Sequence, residues 1–198
     1  MESDLRAYIR SQIEETRILM GLLLKEDELL NQLEAAIDAC VKCLRAGGRI
    51  LLAGNGGSAA DAQHIAGELV SRFAFERPGL PVLALTTDSS VLTAIGNDDG
   101  YQHIFSRQIN AHGKKGDVFI AYSTSGNSTN IVKALEEARR MGVVSVGLTG
   151  NQNGVMVGLC DHIISVPSGS TPKIQECHLV LGHIICGIIE REIFRGAD

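Results

Sequence analysis

A turn rich in hydroxyl groups follows one of the apolar runs of the sequence. Residues 118–121 are apolar, residues 122–128 read YSTSGNS, and a helical pattern of apolar residues begins near Ile131. A helix N-terminus offers unpaired backbone N–H groups and the positive end of its dipole, and nearby hydroxyls add further donors. The turn's hydroxyls belong to Ser123, Thr124, Ser125 and Ser128. A single helix cap uses only one such group, so this cluster predicts a phosphate cradle and a phosphorylated small molecule as ligand.

His64 and Glu68 lie four residues apart in a helical pattern that follows a glycine-rich loop. This spacing brings both side chains onto one helix face, about 6 Å apart. An ordinary exposed pair is the alternative interpretation. The apolar neighbours Ile65, Ala66 and Leu69 and the origin of the helix at the loop favour a site, in which Glu68 would be a general base.

The last helical pattern carries Gln175, His178 and His183 in an otherwise apolar segment. For His178 a buried structural histidine and a functional one both stay open. Gln175 and His183 are eight positions apart, about 12 Å along a helix axis, yet their side chains are long enough to converge. With His64 and Glu68 they supply two imidazoles, a carboxylate and an amide oxygen, a mixed nitrogen and oxygen set that suits zinc.

The glycine-rich loop, residues 53–64, reads AGNGGSAADAQH. Its glycines permit close backbone approach, and Asn55 and Ser58 offer polar contacts. The loop lacks the Gly-Lys-Ser/Thr of a Walker A motif, and Ala59 stands where the dinucleotide fingerprint needs its third glycine. We therefore expect no nucleotide cofactor.

Five apolar runs indicate the elements that position these residues. Two amphipathic helical patterns, at about 5–24 and 28–44, come first, and Gly47-Gly48 ends the second. The apolar runs then alternate with helical patterns, at residues 49–53, 82–85, 118–121, 143–148 and 162–166. Such alternation is typical of a parallel sheet with helices on both faces. We expect five parallel strands.

Ligands of such sheets bind beyond the carboxyl ends of the strands. Every polar cluster of the sequence falls there, at residues 54–58, 86–89, 123–128 and 149–151. The first helix is too apolar to stand free in water, so we expect it to pack against another copy of the chain.

The composition of the chain limits the classes of function that we expect. With 198 residues and 44% hydrophobic content, the chain is expected to form one domain, 1–198, with N-terminal helices in 1–46 and an α/β core with a C-terminal helix in 47–198. The net charge of −5 and the scattered basic residues predict no nucleic-acid partner. No apolar stretch approaches the ~18 residues that span a bilayer, so we expect no membrane partner and a cytoplasmic location.

The five cysteines are expected to be reduced packing residues. Cys40 and Cys43 form a C-x-x-C, but late in a helix before a strand, whereas a redox pair begins a helix after a strand.

Four segments carry a family resemblance: AGNGGSAADAQHIAGEL, LTAIGNDDGY, STSGNSTNIVKAL and TPKIQECHLVLGH. Together they resemble the phosphoheptose isomerases of the sugar isomerase (SIS) family, over nearly the whole chain. The resemblance implies a three-layer, flavodoxin-like, five-stranded parallel sheet, with N-terminal helices used in oligomerisation and a homotetramer whose active sites lie at subunit interfaces. It also implies conversion of sedoheptulose 7-phosphate to glycero-manno-heptose 7-phosphate, the first step toward activated heptose for lipopolysaccharide core or other surface glycans.

The resemblance also assigns roles to individual residues. Its substrate contacts fall on Asn55, Gly56, Gly57, Ser58, Glu68, Asn97, Asp98, Ser123, Thr124, Ser125, Ser128 and Gln175. Glu68 would be the catalytic base and His183 the acid in an isomerisation through an enediol. Some members resemble zinc enzymes, with ligands at His64, Glu68, Gln175 and His183. The two assignments compete, because a group bound to zinc cannot freely carry protons in the same state.

Two functions without catalysis compete with the isomerase. A replication-initiator-associating regulator of the same fold resembles a degraded enzyme, whereas here Ser125 and His183 are both present. A noncatalytic sugar-phosphate sensor would keep the hydroxyl turn but has no use for Glu68 near His183. The complete set favours the enzyme.

Overall fold

A computed structural model describes residues 2–152 and 154–195 of the chain. Two helices come first, α1 (Glu2–Leu23) and α2 (Asp27–Arg45). The remaining elements are β1 (Ile50–Ala53), α3 (Gly57–Val70), β2 (Val82–Ala84), α4 (Ser89–Asp98), α5 (Ser106–His112), β3 (Val118–Tyr122), α6 (Thr129–Met141), β4 (Val144–Thr149), β5 (His162–Ser165) and α7 (Thr171–Phe194).

The five strands form one parallel sheet in the order β2-β1-β3-β4-β5. In the register, Ile50 lies opposite Val82 on one side and Val118 on the other. The central strands β1 and β3 are wholly buried, and for that reason they are apolar throughout instead of alternating. The predicted five-stranded, flavodoxin-like sheet is confirmed.

Two apolar layers pack on the two faces of the sheet. On one face, α2, α3 and α7 bury residues such as Ile37, Ile65 and Ile185, and the end of α1 joins them. On the other, α5 and α6 bury residues such as Ile109 and Leu135. Both α3 and α7 leave the carboxyl edge of the sheet on the same face, which allows side chains from the two helices to meet.

Most of α1 presents apolar side chains to the surface of this chain. Leu5 and Tyr8 are each 63% exposed and Ile13 is 66% exposed. Polar contacts with α7 tether this helix to the core: the Nζ of the buried Lys173 donates to Gln12 O at 2.9 Å and to Thr16 Oγ1 at 2.8 Å, and Thr16 Oγ1 donates to Glu176 Oε2 at 2.6 Å. An apolar surface of this extent is typical of an interaction site.

All five cysteines are free thiols. Cys40 and Cys43 are buried in the second half of α2, and burial raises the pKa of Cys43 to about 11. A protonated, buried thiol fits the packing interpretation. Within the described ranges, the helices lack the combination of length and apolar content needed to cross a membrane.

Candidate functional site

Side chains from α3 and α7 converge in one cluster. His64 Nε2 lies 2.8 Å from His183 Nε2 and 3.6 Å from Glu68 Oε1. The helices come this close because α7 has Gly182 at the contact, where a Cβ would lie 2.6 Å from Ile65 Cδ1. A side chain at position 182 would therefore separate the two histidines.

The cluster is open to solvent on one side. The side chains of His64 and Glu68 are 45% and 26% exposed. On the other side, the Phe73 ring lies 5.7 Å from the His183 ring, centroid to centroid. An open hollow of about 470 Å³ beside His183 is lined by the apolar side chains of Phe73, Val180, Ile184 and Ile188. The cluster thus stands at the rim of an apolar surface.

The donor atoms of the cluster suit a metal ion. One nitrogen each from His64 and His183 and one oxygen from Glu68 all lie within 4.8 Å of one another. Two imidazoles and a carboxylate form a common catalytic zinc set, which leaves a further position for water or substrate. These three residues fit zinc by chemistry and by convergence.

Gln175 lies two turns before His183 on α7, and its amide packs on the glycine loop. A Cβ at Gly57 would lie 2.7 Å from Gln175 Nε2 and 2.8 Å from its Oε1. Only a glycine at position 57 leaves the amide in this place. The structure therefore brings Gln175 to the first turn of α3, on the side of the histidine cluster that faces the glycine loop.

Ser123 and Ser128 face each other at the start of α6. The buried Ser123 donates its hydroxyl to Ser128 Oγ at 3.0 Å. Ser128 is the N-cap residue, yet among the described residues its side chain makes no capping hydrogen bond. Helix capping thus does not account for the serine cluster, and both hydroxyls lie where the helix N-terminus attracts an anion.

The loop after β4 braces the same turn. Thr124 O accepts from Gly150 N at 3.1 Å, and Asn127 Oδ1 accepts from Val155 N at 2.9 Å. Ser125 Oγ accepts from Asn127 N at 3.2 Å. These bonds hold the turn in shape, and the residues Thr124 and Ser125 stay partly exposed.

The glycine loop is tied to the hydroxyl turn by a pair of amides. Asn55 Nδ2 donates to Asn130 Oδ1 at 2.9 Å, and Asn130 Nδ2 donates back to Asn55 Oδ1 at 2.8 Å. Tyr101 also donates its hydroxyl to Asn55 Oδ1 at 3.2 Å. Sequence reasoning missed Asn130 and Tyr101. One feature of the sequence could have indicated Asn130. It is a polar residue in the first turn of a helix whose N-cap position is already filled by Ser128.

The remaining predicted contacts divide into two groups. Gly56 and Ser58 lie at the start of α3, where Ser58 N donates to Asn55 O at 3.0 Å. Asn97 and Asp98 lie at the exposed end of α4, where Asn97 Nδ2 donates to Asp98 Oδ1 at 2.7 Å. The hydrogen bonds of the described residues do not join these two to the glycine loop or to the hydroxyl turn.

Two further titratable groups lie behind the cluster. Burial raises the pKa of Asp61, one turn before His64, and the nearby His64 opposes that shift. His178 is fully buried, with its Nε2 3.3 Å from Thr149 O. Burial lowers the pKa of His178 to about 4, so its ring is neutral, which supports the structural interpretation over a direct role in the cluster.

Comparisons with known proteins identify the family of this chain. The family model of the SIS domain matches residues 19–150. A phosphoheptose isomerase of Burkholderia pseudomallei is 58% identical over 194 residues, which cover 98% of each chain. The structure of a phosphoheptose isomerase from Neisseria gonorrhoeae superposes with a TM-score of 0.88 at 38% identity, covering 94% of this chain and 98% of the other.

A second solved structure also matches this chain over most of its length. It is a phosphoheptose isomerase from Francisella tularensis, with a TM-score of 0.89 at 36% identity, covering 93% of this chain and 97% of that one. Similarity of this extent covers the glycine loop, the hydroxyl turn and both helices of the cluster. This chain therefore belongs to the phosphoheptose isomerases of the SIS family.

Proposed function

We propose that the chain converts D-sedoheptulose 7-phosphate to D-glycero-D-manno-heptose 7-phosphate, the first step toward activated heptose for lipopolysaccharide core or surface glycans. The observation that carries this proposal is the meeting of Glu68 and His183, from two different helices, at the sheet edge that also bears the hydroxyl turn. A carboxylate and an imidazole together supply the base and the acid of an aldose–ketose isomerisation. The relatives named above are phosphoheptose isomerases, which supports a heptose phosphate as the substrate.

Each part of the site has a role in this mechanism. The hydroxyl turn and the N-terminus of α6 bind the phosphate, which fixes the distant end of the sugar. His183 assists opening of the ring, then donates a proton to the C2 carbonyl oxygen, and finally takes up the proton that the C1 hydroxyl loses when the aldehyde forms. Glu68 removes a proton from C1 of the ketose and returns one to C2, so that the reaction passes through an enediol.

We assign the substrate contacts to the loops at the sheet edge. They are Asn55, Gly56, Gly57, Ser58, Glu68, Asn97, Asp98, Ser123, Thr124, Ser125, Ser128 and Gln175. Asn55 is oriented for this role by Asn130 and Tyr101. The reciprocal amide pair holds the sugar-binding loop against the phosphate-binding turn, so that both ends of one substrate meet a rigid surface.

Zinc is the proposed cofactor, and no nucleotide takes part. His64, Glu68, Gln175 and His183 would hold the ion. When bound, zinc polarises an oxygen of the substrate and stabilises negative charge on it. Because a group bound to zinc cannot carry a proton in the same state, Glu68 and His183 would act as base and acid only when the ion does not hold them. We place the orientation of the His183 ring on His64, whose ring lies edge-on to it.

We further propose that the enzyme is a homotetramer. The apolar surface of α1 and the exposed Val180, Ile184 and Ile188 of α7 lie on the outside of this chain. The α7 residues repeat every four positions and border the hollow beside His183. A second copy packed there would remove the apolar surface from water and close the site. We place the enzyme in the cytoplasm, where its free thiols stay reduced.

The direct test of this function is turnover. Purified protein mixed with sedoheptulose 7-phosphate, without any nucleotide, is expected to give the NMR signals of an aldose phosphate. Binding of the sugar phosphate without any turnover would contradict an isomerase and indicate a sensor. Neither binding nor turnover would contradict the assignment of the site.

We expect the double substitution Ser123→Ala and Ser125→Ala to weaken binding of the sugar phosphate by about 100-fold or more, because each of the two lost hydrogen bonds to a charged group contributes about 1.5 kcal/mol or more. Calorimetry measures the affinity, and unphosphorylated sedoheptulose serves as the control ligand. An unchanged affinity for the phosphorylated sugar in a folded double variant would refute the phosphate cradle.

Gly57→Ala is expected to lower kcat/KM by about tenfold or more, because the new methyl group would stand 2.7 Å from Gln175 Nε2 and displace the amide. Gly67→Ala on the same helix is the matched control, since nothing lies within 4 Å of its Cβ position. Steady-state kinetics compares the two variants. Equal activity of both would show that the position of Gln175 does not matter for turnover.

A further inference from the structure

A buried ion pair lies beneath the histidine cluster. Arg77 Nε donates to Glu190 Oε1 at 3.0 Å, and the two side chains are 2% and 0% exposed. Arg77 belongs to the loop after α3, and Glu190 lies on α7. The pair therefore joins the two helices that carry Glu68 and His183, at a point that none of the assigned catalytic or binding residues occupies.

The guanidinium of Arg77 is also bonded to the end of α3. Its Nη2 donates to Glu68 O at 2.9 Å, and its Nη1 donates to Leu69 O at 2.6 Å. Nη1 further donates to Ser71 O at 3.1 Å and to Pro78 O at 3.0 Å. Arg77 thus fixes the backbone of the catalytic glutamate itself, together with the loop that follows it.

Glu190 fixes the other side of the cluster. Its Oε1 accepts from Phe73 N at 2.8 Å and its Oε2 accepts from Ala74 N at 2.7 Å. The Phe73 ring lies against the His183 ring, and His183 is two turns before Glu190 on the same helix. Although burial opposes it, these two N–H groups and Arg77 hold the pKa of Glu190 below its usual range.

Stability alone does not explain a charged pair in this place. The cost of removing two charges from water offsets most of their attraction. Well-packed apolar residues in the same place often give a protein equal or greater stability. Here Arg77 and Glu190 make their hydrogen bonds with each other, with the end of α3 and with the loop that follows α3. The ion pair therefore fixes the spacing and orientation of α3, Phe73 and α7.

We propose that Arg77 and Glu190 are positioning residues for the isomerisation, which set the Glu68 carboxylate and the His183 ring in register across α3 and α7. The assignment rests on the proposed function, since it takes Glu68 and His183 as the base and the acid. Misplacement of such groups by about 1 Å can cost on the order of 100-fold in rate.

Glu190→Gln tests this role, because one amide oxygen cannot replace a carboxylate that accepts three hydrogen bonds. We expect kcat to fall by about 10- to 100-fold with little change in KM for sedoheptulose 7-phosphate. Glu192→Gln is the matched control. Glu192 also forms an ion pair from α7, but its partner is Arg45 of α2 and it is partly exposed.

A kinetic isotope effect separates positioning from folding. With substrate deuterated at C1, a misplaced base makes proton transfer more rate-limiting, so the isotope effect on kcat should rise in Glu190→Gln. A smaller fraction of folded enzyme would lower kcat and leave the isotope effect as in the wild type. Arg77→Lys, which keeps a positive charge beside Glu190 but cannot supply all the hydrogen bonds that Arg77 gives to Glu68 O and Leu69 O, should give the same rise and serves if Glu190→Gln does not fold.

The orientation of His183 gives a readout that does not depend on turnover. In protein labelled with ¹³C at histidine Cε1, the His183 signal should shift in Glu190→Gln and Arg77→Lys and stay in place in Glu192→Gln. An unchanged isotope effect together with an unchanged His183 signal overturns the positioning role. If the wild type converts no sedoheptulose 7-phosphate, the proposed function fails, and the His183 signal alone decides whether the ion pair orients the ring.

Discussion

Glu68→Gln is expected to lower kcat for sedoheptulose 7-phosphate by at least about 100-fold, which corresponds to about 2.7 kcal/mol of lost transition-state stabilisation. Glutamine keeps the size of the side chain and its place on α3 but cannot accept the C1 proton. Binding of the sugar phosphate should be largely kept, because the proposed phosphate cradle is the hydroxyl turn that precedes α6, whereas Glu68 lies on α3.

Steady-state kinetics and calorimetry on the same preparation check this expectation. Glu136→Gln on α6 is the control, an exposed acid whose ion-pair partner is the neighbouring Lys133. The zinc content of Glu68→Gln is measured as well, so that loss of the base is separated from loss of metal. A variant that keeps more than about a tenth of the wild-type kcat would exclude Glu68 as the general base.

Loss of zinc is expected to lower kcat by a factor similar to that expected for Glu68→Gln. Protein purified without chelator should carry about one zinc ion per chain, and chelation should abolish most activity until zinc is restored. His64→Ala should lose both the metal and the activity, because His64 supplies one of the converging donor atoms. Elemental analysis and kinetics give the two readouts independently.

The control for this substitution is His112→Ala, at the exposed end of α5 and away from the cluster. It should keep both zinc and turnover. Wild-type protein that is fully active with less than about a tenth of an equivalent of zinc would reject a metal requirement, and His183 would then be a simple acid.

Local patterns in the sequence predicted the elements of this fold well. The strands β1 and β3 are buried on both faces, so their sequences are continuously apolar and easy to recognise. The pair of His64 and Glu68 was equally visible, because residues four apart on one helix must share a face. Both inferences need only a few neighbouring residues.

Contacts between distant segments could not be predicted in this way. His64 and His183 are 119 positions apart, and Arg77 and Glu190 are 113 apart. In the sequence, Arg77 is an ordinary loop cation and Glu190 an ordinary helix acid. Their burial follows from the packing of α3 on α7, which depends on Gly182 and Ile65 and on the whole sheet beneath.

Asn97 and Asp98 show the same dependence on a larger assembly. The family resemblance makes them substrate contacts, whereas in this chain they pair with each other on α4, a helix without a buried residue among those described. Their exposed position is what a site completed by a second subunit requires. We therefore propose that they act at a subunit interface.

The most direct test of the central claim is isomerisation in D₂O. Proton transfer by Glu68 through an enediol predicts an aldose phosphate that carries deuterium at C2, because the proton held by the carboxylate exchanges with solvent before it is returned. ¹H and ¹³C NMR of the product measure this directly, and Glu68→Gln should give almost no labelled product in the same time. No aldose phosphate, or an aldose phosphate whose C2 carries no deuterium, would contradict the account.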